Sequence, residues 1–202
     1  MKQFLLIIAI VLIISSLANA ESFTLADFPR PFVDNGVFNA ILVVGDYADA
    51  LDVIGVSDIA MRLQYDMKAE KRVQNAKCDY TTTDITRIQV GAVQLASQIS
   101  DRVNEENLII VGGPCINSAA AMIMGHPDEC TRGFSVGKAK IKLYEHNNGK
   151  FALLVAGRIG QDTRAAAKII ANYEDYKADF KGTELVVAET SSTNPTVAAS
   201  ID

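Results

Sequence analysis

Tryptophan is absent from the chain, and histidine occurs only twice. Two histidines leave little material for a His-rich metal centre or for a catalytic pair of imidazoles. Basic residues are also in deficit, with 19 Lys and Arg against 24 Asp and Glu and a formal net charge of −5. Because neutralising phosphates requires a surplus of Lys and Arg, this balance argues against nucleic acid as a partner. The 202 residues suffice for one domain, or two small ones, with a sizeable core.

Long hydrophobic runs are lacking, apart from one near the N-terminus. Eleven apolar residues, Phe4 to Ile14, follow Lys2 and precede the small residues of Ala18-Asn19-Ala20. This run is shorter than the roughly 20 residues of a membrane-spanning helix, which disfavours an uncleaved anchor. We therefore predict that residues 1–20 are a secretory signal peptide cleaved after Ala20. A single α/β domain is expected over 21–188, followed by a flexible Ser/Thr-rich tail over 189–202.

Only three cysteines are present, Cys78, Cys115 and Cys130. Outside the cytosol cysteines can oxidise, and Cys115 and Cys130 bracket an apolar segment, so we predict a disulfide bond between them. Cys78 is then the odd cysteine, either an inert buried thiol or one that is paired with another chain. A zinc site is disfavoured because no Cys-x-x-Cys pair exists and His126 is the one nearby histidine.

Hydrophobic periodicity predicts an alternation of strands and helices. A strand ending in glycine and followed by a helical pattern occurs three times, over 41–63, 107–124 and 151–173, which is typical of a parallel sheet. Asn148-Gly149 predicts an antiparallel hairpin. The expected fold is an α/β three-layer sandwich, with a mostly parallel sheet, an added hairpin and helices on both faces. The strands are predicted at 41–44, 108–111, 139–145, 151–156 and 184–188, and the helices at 48–64, 115–124 and 162–175. Residues 64–106 are left unassigned.

Two motifs could hold a ligand, and each has a simpler explanation. Gly112-Gly113-Pro114 opens a helix after a strand, as phosphate-binding loops do, but Pro114 removes an amide donor, so tight packing turns are favoured. Asp46, Asp49 and Asp52 recur at a spacing of three, which could serve a divalent cation. Capping of the following helix is favoured, and divalent-cation binding is expected to be weak at most.

No motif for catalysis is found. Cys130 lies close to His126 in sequence, but a bonded cysteine supplies no thiolate. Serine does not occur in a G-x-S-x-G elbow. Lys138, Lys140 and Lys142 are interpreted as a solvated strand face that guards against edge pairing. We expect no catalytic residue, no metal ligand and no cofactor.

The chain resembles the domain found in archaeal surface-layer (S-layer) proteins, and more weakly the cell-wall-binding repeats of clostridia. Three stretches carry the resemblance: Phe28-Pro29-Arg30-Pro31-Phe32-Val33 with 41–45 and the helix that follows; 107–117 with Cys130, Gly133-Phe134 and Gly137-Lys138; and 152–157 with 162–167, 171–173 and 182–184.

This resemblance implies a secreted structural protein of the cell envelope, without enzymatic activity, that works through protein–protein contacts. Its expected partners are other copies of itself or other envelope proteins. S-layer proteins are usually much longer than this chain, which favours an accessory role over that of the main lattice subunit. The alternative is a secreted module that binds a glycan or small solute in the crevice at the carboxyl ends of the strands.

Overall fold

The computed structural model of the chain describes residues 23–74 and 79–198. The strands of these ranges are β1 (Val33–Asp34), β2 (Val37–Phe38), β3 (Ile41–Val44), β4 (Lys68–Gln74), β5 (Asp79–Ile85), β6 (Val93–Leu95), β7 (Leu108–Val111), β8 (Ala139–Glu145), β9 (Phe151–Gly157), β10 (Glu184–Ala188) and β11 (Thr196–Ala198). The α-helices are α1 (Ala50–Asp66), α2 (Ser118–Ile123) and α3 (Gly160–Ala171), and short 3-10 helices lie at Leu25–Asp27, Ala96–Gln98 and Tyr173–Tyr176. Among these residues no helix is both long enough and apolar enough to cross a bilayer.

The centre of the fold is a seven-stranded mixed sheet with the order β11-β10-β8-β9-β7-β3-β6. The pairs β9-β7, β7-β3 and β3-β6 are parallel, whereas β8 pairs antiparallel with β9 and β10, and β11 pairs antiparallel with β10. Five of the seven strands therefore run in one direction. The predicted mostly parallel sheet with an added antiparallel hairpin is confirmed, and all five predicted strands lie in it.

Both faces of the central strands are buried, which explains why these strands are apolar throughout. Every residue of β7 and of β9 is buried. Along β9, Leu153 joins a core with residues of α1, α3 and the N-terminal segment 25–33, while Leu154 joins a second core with α2 and the segment 96–103. The sheet thus separates two helical layers, and the predicted α/β sandwich is confirmed.

The starts of α1 and α2 are each set by a polar side chain at the N-cap. Asp49 caps α1 by accepting a hydrogen bond from the amide of Leu51 at 2.8 Å. Asn117 caps α2 by accepting from the amides of Ala119 and Ala120 at 3.1 and 3.3 Å. The predicted start of α2 near residue 115 is therefore wrong, because the chain must pass through a turn after Pro114 before its amides find this cap.

The described residues of the segment without a predicted structure, 64–106, contain three strands besides the end of α1 and a 3-10 helix. Strands β4 and β5 form an antiparallel two-stranded sheet of their own. Strand β6 then adds to β3 at one edge of the main sheet.

Residues 189–198, which lie in the range predicted as a flexible tail (189–202), contain a strand. Strand β11 returns along β10, and the hydroxyl of Tyr176 donates to the carbonyl oxygen of Pro195 at 3.0 Å. Thr190 is buried and its hydroxyl donates to the carboxylate of Asp162. These contacts place residues 189–198 against the body of the protein. The predicted signal peptide (1–20) and the last four residues lie outside the described part of the chain.

Candidate functional site

A crevice opens where the three parallel strands β3, β7 and β9 end. Its cavity is about 440 Å³ in volume. It is lined by Tyr47 to Asp49 after β3, by Gly113 to Ile116 after β7 and by Arg158 to Gly160 after β9, with Cys130, Thr131 and Phe134 at one side. In open α/β sheets ligands bind at this edge, so the crevice is the natural candidate for a small-ligand site.

Glycines let the strand ends approach the helix starts around this crevice. A Cβ on Gly45 would lie 2.8 Å from the carbonyl carbon of Ile116, and one on Gly157 would lie 2.6 Å from the amide nitrogen of Thr163. Neither approach leaves room for a side chain. Gly45 and Gly157 therefore serve close packing between strand ends and helix starts.

Asp52 lies at the floor of the crevice with 1% of its surface exposed. One carboxylate oxygen, Oδ2, accepts from the amide of Asp49 at 3.0 Å, which completes a capping box. The other oxygen, Oδ1, has no hydrogen-bond partner among the described residues. Burial raises the pKa of Asp52, while the Asp49 amide and the neighbouring Thr163 hydroxyl oppose that rise. The carboxylate of Asp52 is thus a buried, partly unsatisfied hydrogen-bond acceptor in the lining of the crevice.

The three aspartates considered for a divalent cation all accept hydrogen bonds within the protein. Asp49 and Asp52 cap α1, and Asp46 accepts from both the hydroxyl and the amide of Ser97, the amide at 3.1 Å. Within 23–74 and 79–198, no group of three or more His, Cys, Asp or Glu side chains is placed to hold a metal ion. The capping interpretation is confirmed for Asp49 and Asp52, whereas Asp46 holds Ser97 instead.

Cys115 and Cys130 meet at the side of the crevice. Their Sγ atoms are 2.08 Å apart and their Cα atoms 4.9 Å apart, which is the geometry of a disulfide bond. The bond would close the loop that contains α2 and His126. Cys78 lies outside the described residues.

The lysines of β8 are placed differently from the expectation of an edge-guarding face. Strand β8 lies between β9 and β10, and Lys140 and Lys142 form ion pairs with Glu184 of β10 at 2.9 and 2.8 Å. Burial alone would raise the pKa of Glu184, but hydrogen bonds from the two lysines hold it below its ordinary value. The interpretation of a solvated edge was wrong because β10 covers that edge of β8. The paired residues of β8 and β10 are more than 40 residues apart in sequence, so local patterns do not show that these strands pair.

Asp162 was predicted only as part of a helix start, yet it links three segments. It is buried, and its carboxylate accepts from the amides of Gly137 and Ile159 at 3.2 and 3.4 Å and from the hydroxyl of Thr190. The loop before β8, the start of α3 and the segment after β10 therefore meet at one side chain. No local signal in the sequence could have shown this.

The β4–β5 hairpin is fixed at its root, where it leaves the body. The side chain of Gln64 donates to the carbonyl oxygen of Thr86 at 2.7 Å and accepts from the amide of Ile88 at 2.8 Å. Met67 is buried beneath the root, and the ammonium of Lys68 lies 3.4 Å from the ring centre of Tyr65. The start of β4 and the segment that follows β5 therefore both contact α1.

Comparison with known proteins matches one family model to this chain. The model describes the outer domain of an S-layer like family, and residues 64–174 match it. The match includes the hairpin, α2, the hairpin β8–β9 and α3, but not the first resembling stretch around Phe28 and Ile41. A search of curated proteins finds no match. Since the family model covers more than half of the chain, this protein belongs to the S-layer like family, and that membership indicates a structural protein of the cell surface.

Proposed function

We propose that the protein is an exported assembly module of the cell envelope, which joins other copies of itself or other envelope proteins through its surface. The observation that supports this function is the family match over residues 64–174. The match includes the β4–β5 hairpin, whose strands form a sheet of their own, and strand β6 at the edge of the main sheet. An assembly role suits a domain that has a two-stranded sheet separate from its main sheet.

Exposed apolar side chains near β6 support the same function. Val90 is fully exposed, Val37 is 53% exposed, and both line a cleft with Met67 and Thr86 at the hairpin root. Val93 and Leu95 of β6 are 45% and 41% exposed. Apolar residues that gather on one side of a protein are typical of interaction surfaces.

Sedimentation velocity of the purified protein over a range of concentrations tests this proposal. We expect the weight-average sedimentation coefficient to rise with concentration. Repeating the series with and without Ca²⁺ tests weak cation binding as well. A sedimentation coefficient that stays that of a monomer at every concentration, with and without Ca²⁺, contradicts self-assembly.

Export is part of the proposal. The predicted signal peptide should be removed after Ala20, so the mature protein should begin at Glu21. N-terminal sequencing of the protein from its native cell envelope would check this. A mature protein that still begins at Met1 and stays in the cytoplasm would refute the envelope location.

Cys78 provides a second way to examine assembly. If this cysteine joins two chains, a non-reducing gel should show a dimer that is lost in Cys78→Ser. A monomer band alone would favour the inert buried thiol.

A glycan- or solute-binding module is the second candidate function. The unpartnered Oδ1 atom of Asp52 at the floor of the crevice favours it, because sugar hydroxyls are donors of the required kind. Thermal melts with glucose, mannose and N-acetylglucosamine test it: a rise in Tm that is lost in Asp52→Asn but kept in Asp58→Asn supports binding. No rise with any of these sugars counts against it.

A further inference from the structure

The β4–β5 hairpin has two strand edges that no other strand covers. Each strand is seven residues long, and within the described chain each pairs only with the other. An uncovered edge presents backbone N–H and C=O groups that can pair with another strand. A two-stranded sheet is also marginally stable by itself in water, so additional pairing would stabilise it.

The two edges carry opposite charge. Strand β4 contains Lys68, Glu70, Lys71 and Arg72, a net charge of +2, and β5 contains Asp79 and Asp84, a net charge of −2. Their register places none of these residues directly opposite another charged residue. Lys71 and Arg72 face Thr82 and Thr81, and Asp79 faces Gln74. In this register each charged residue of the hairpin is therefore opposite an uncharged one.

We propose that copies of this protein join hairpin to hairpin, with the basic β4 edge of one copy pairing with the acidic β5 edge of the next. This inference rests on the proposed assembly function and names the surface responsible. A two-fold contact of β4 with β4, or of β5 with β5, would place like charges side by side, which is destabilising. The head-to-tail contact joins opposite charges.

Such a contact has a structural consequence. Because β4 and β5 are antiparallel, hairpins stacked in the same orientation extend one antiparallel sheet, and every added copy again offers one free basic edge and one free acidic edge. A heterologous contact of this kind does not close on itself unless its rotation closes a ring. It therefore gives chains that grow, as a surface assembly requires, rather than a discrete dimer.

The root of the hairpin suits this role. The Gln64 hydrogen bonds to Thr86 and Ile88 fix the base of the hairpin, so less conformational freedom is lost on association. The exposed Val37 and Val90 lie in the cleft at the same root. A neighbouring copy that pairs with the hairpin would approach these apolar side chains and remove some of their surface from water.

Charge reversal on each strand tests the proposal in the full-length mature protein, with Cys78→Ser in every chain to prevent covalent dimers. Lys71→Glu with Arg72→Glu makes β4 acidic, and Asp79→Lys with Asp84→Lys makes β5 basic. Each variant alone has two edges of like charge, so its association should require at least about tenfold higher concentration in sedimentation velocity. An equimolar mixture of the two variants should associate again, because each offers the edge that the other lacks.

Two further chains separate the hairpin contact from other effects. The chain with both reversals has its charges exchanged between strands and should associate like the parent. Lys138→Glu with Lys181→Glu changes the net charge as much as the β4 variant does, at exposed positions outside the hairpin, and should also associate like the parent.

The results distinguish failure of this inference from failure of the proposed function. If the parent associates and the single-strand variants associate equally well, or if neither the mixture nor the exchanged chain recovers association, the hairpin is not the contact and assembly uses another surface. If the parent remains a monomer throughout, both the hairpin contact and self-assembly are refuted.

Discussion

The strands β7 and β9 and the strands β4 and β5 belong to the same chain, but they are stabilised in different ways. Every residue of β7 and β9 is buried between two helical layers, and each of these strands has a partner on both sides. Strands β4 and β5 pair with each other alone within the described residues, and Thr81 and Thr83 are exposed. The comparison separates a body that is stable through burial from a hairpin that is available for contact.

The two regions differ in the interactions that stabilise them. Burying one Leu or Ile side chain contributes about 1.5 to 3 kcal/mol, and the sheet body contains many such side chains. A hydrogen bond contributes only about 1 kcal/mol net, since water competes for both partners. A two-stranded sheet such as the hairpin has little stability of its own in water, so a partner strand would have a large effect on it.

The largest expected effect compares the stability lost at a buried position of the main sheet with that lost at an exposed position of the hairpin. Leu153→Ala leaves a cavity in a core where the residue is 0% exposed, so we expect a loss of about 3 to 4 kcal/mol in the free energy of unfolding. Thr83→Ala, at an exposed hairpin position, should change it by less than about 0.5 kcal/mol. Urea unfolding measures both. Equal losses would mean that the hairpin is part of the folding core, which would contradict the distinction between the main sheet and the hairpin.

The second largest effect is expected for the disulfide bond between Cys115 and Cys130. Replacing both Cys115 and Cys130 by Ser should lower stability by about 3 kcal/mol, because the unfolded chain loses a closed loop with a sequence separation of 15. Reducing agent should destabilise the wild type by a similar amount and leave the double variant unchanged. Peptide mapping without reduction checks the bond itself, and recovery of both thiols in free form would refute it.

A smaller effect comes from the ion pairs of Glu184, which strengthen the antiparallel half of the sheet. Glu184→Gln should cost about 1 kcal/mol near neutral pH, since the pairs with Lys140 and Lys142 are only partly shielded from solvent. The pKa of Glu184 is lowered in the folded protein, so this contribution is present above the ordinary value of 4.5 and is lost as the pH falls through the lower folded value.

The pH series provides the check on that assignment. Stability measured near neutral pH and again in acid should show the gap between wild type and Glu184→Gln closing as the pH falls. Glu145→Gln, at an exposed position on β8, removes the same charge and should show little difference at any pH. A gap that persists after Glu184 is protonated would assign the effect to packing instead of charge.

The buried strands were predictable because a strand that is buried on both faces is apolar at every position. Ile41 to Val44, Leu108 to Val111 and Phe151 to Val155 are unbroken apolar runs, and the alternation along β8 indicated one buried face. The Asn148-Gly149 turn was equally local. These features identified the layers of the sandwich and the position of the crevice.

The hairpin could not be predicted in the same way. Strands β4 and β5 are rich in Lys, Thr and Asp, so they show no apolar pattern, and β6 is only three residues long. The roles of Asp162 and Glu184 depend on partners that are distant in sequence. Asn117 was missed as the cap of α2 because Pro114 is itself a good first residue of a helix.

The smallest expected effect concerns the junction between the two regions. Gln64→Ala removes the side chain that holds Thr86 and Ile88, and because these hydrogen bonds lie near the surface we expect a loss of only about 0.5 kcal/mol in global stability. The local effect should be larger. Hydrogen exchange of β4 and β5 amides should become faster while that of β7 and β9 amides stays unchanged. Gln98→Ala, which loses a side-chain hydrogen bond to the amide of Leu95, is the matched control and should leave the hairpin amides unaffected. If Gln64→Ala instead accelerates exchange in β7 and β9, the hairpin and the body open as one unit. If it also weakens self-association, the fixed root contributes to the contact between copies.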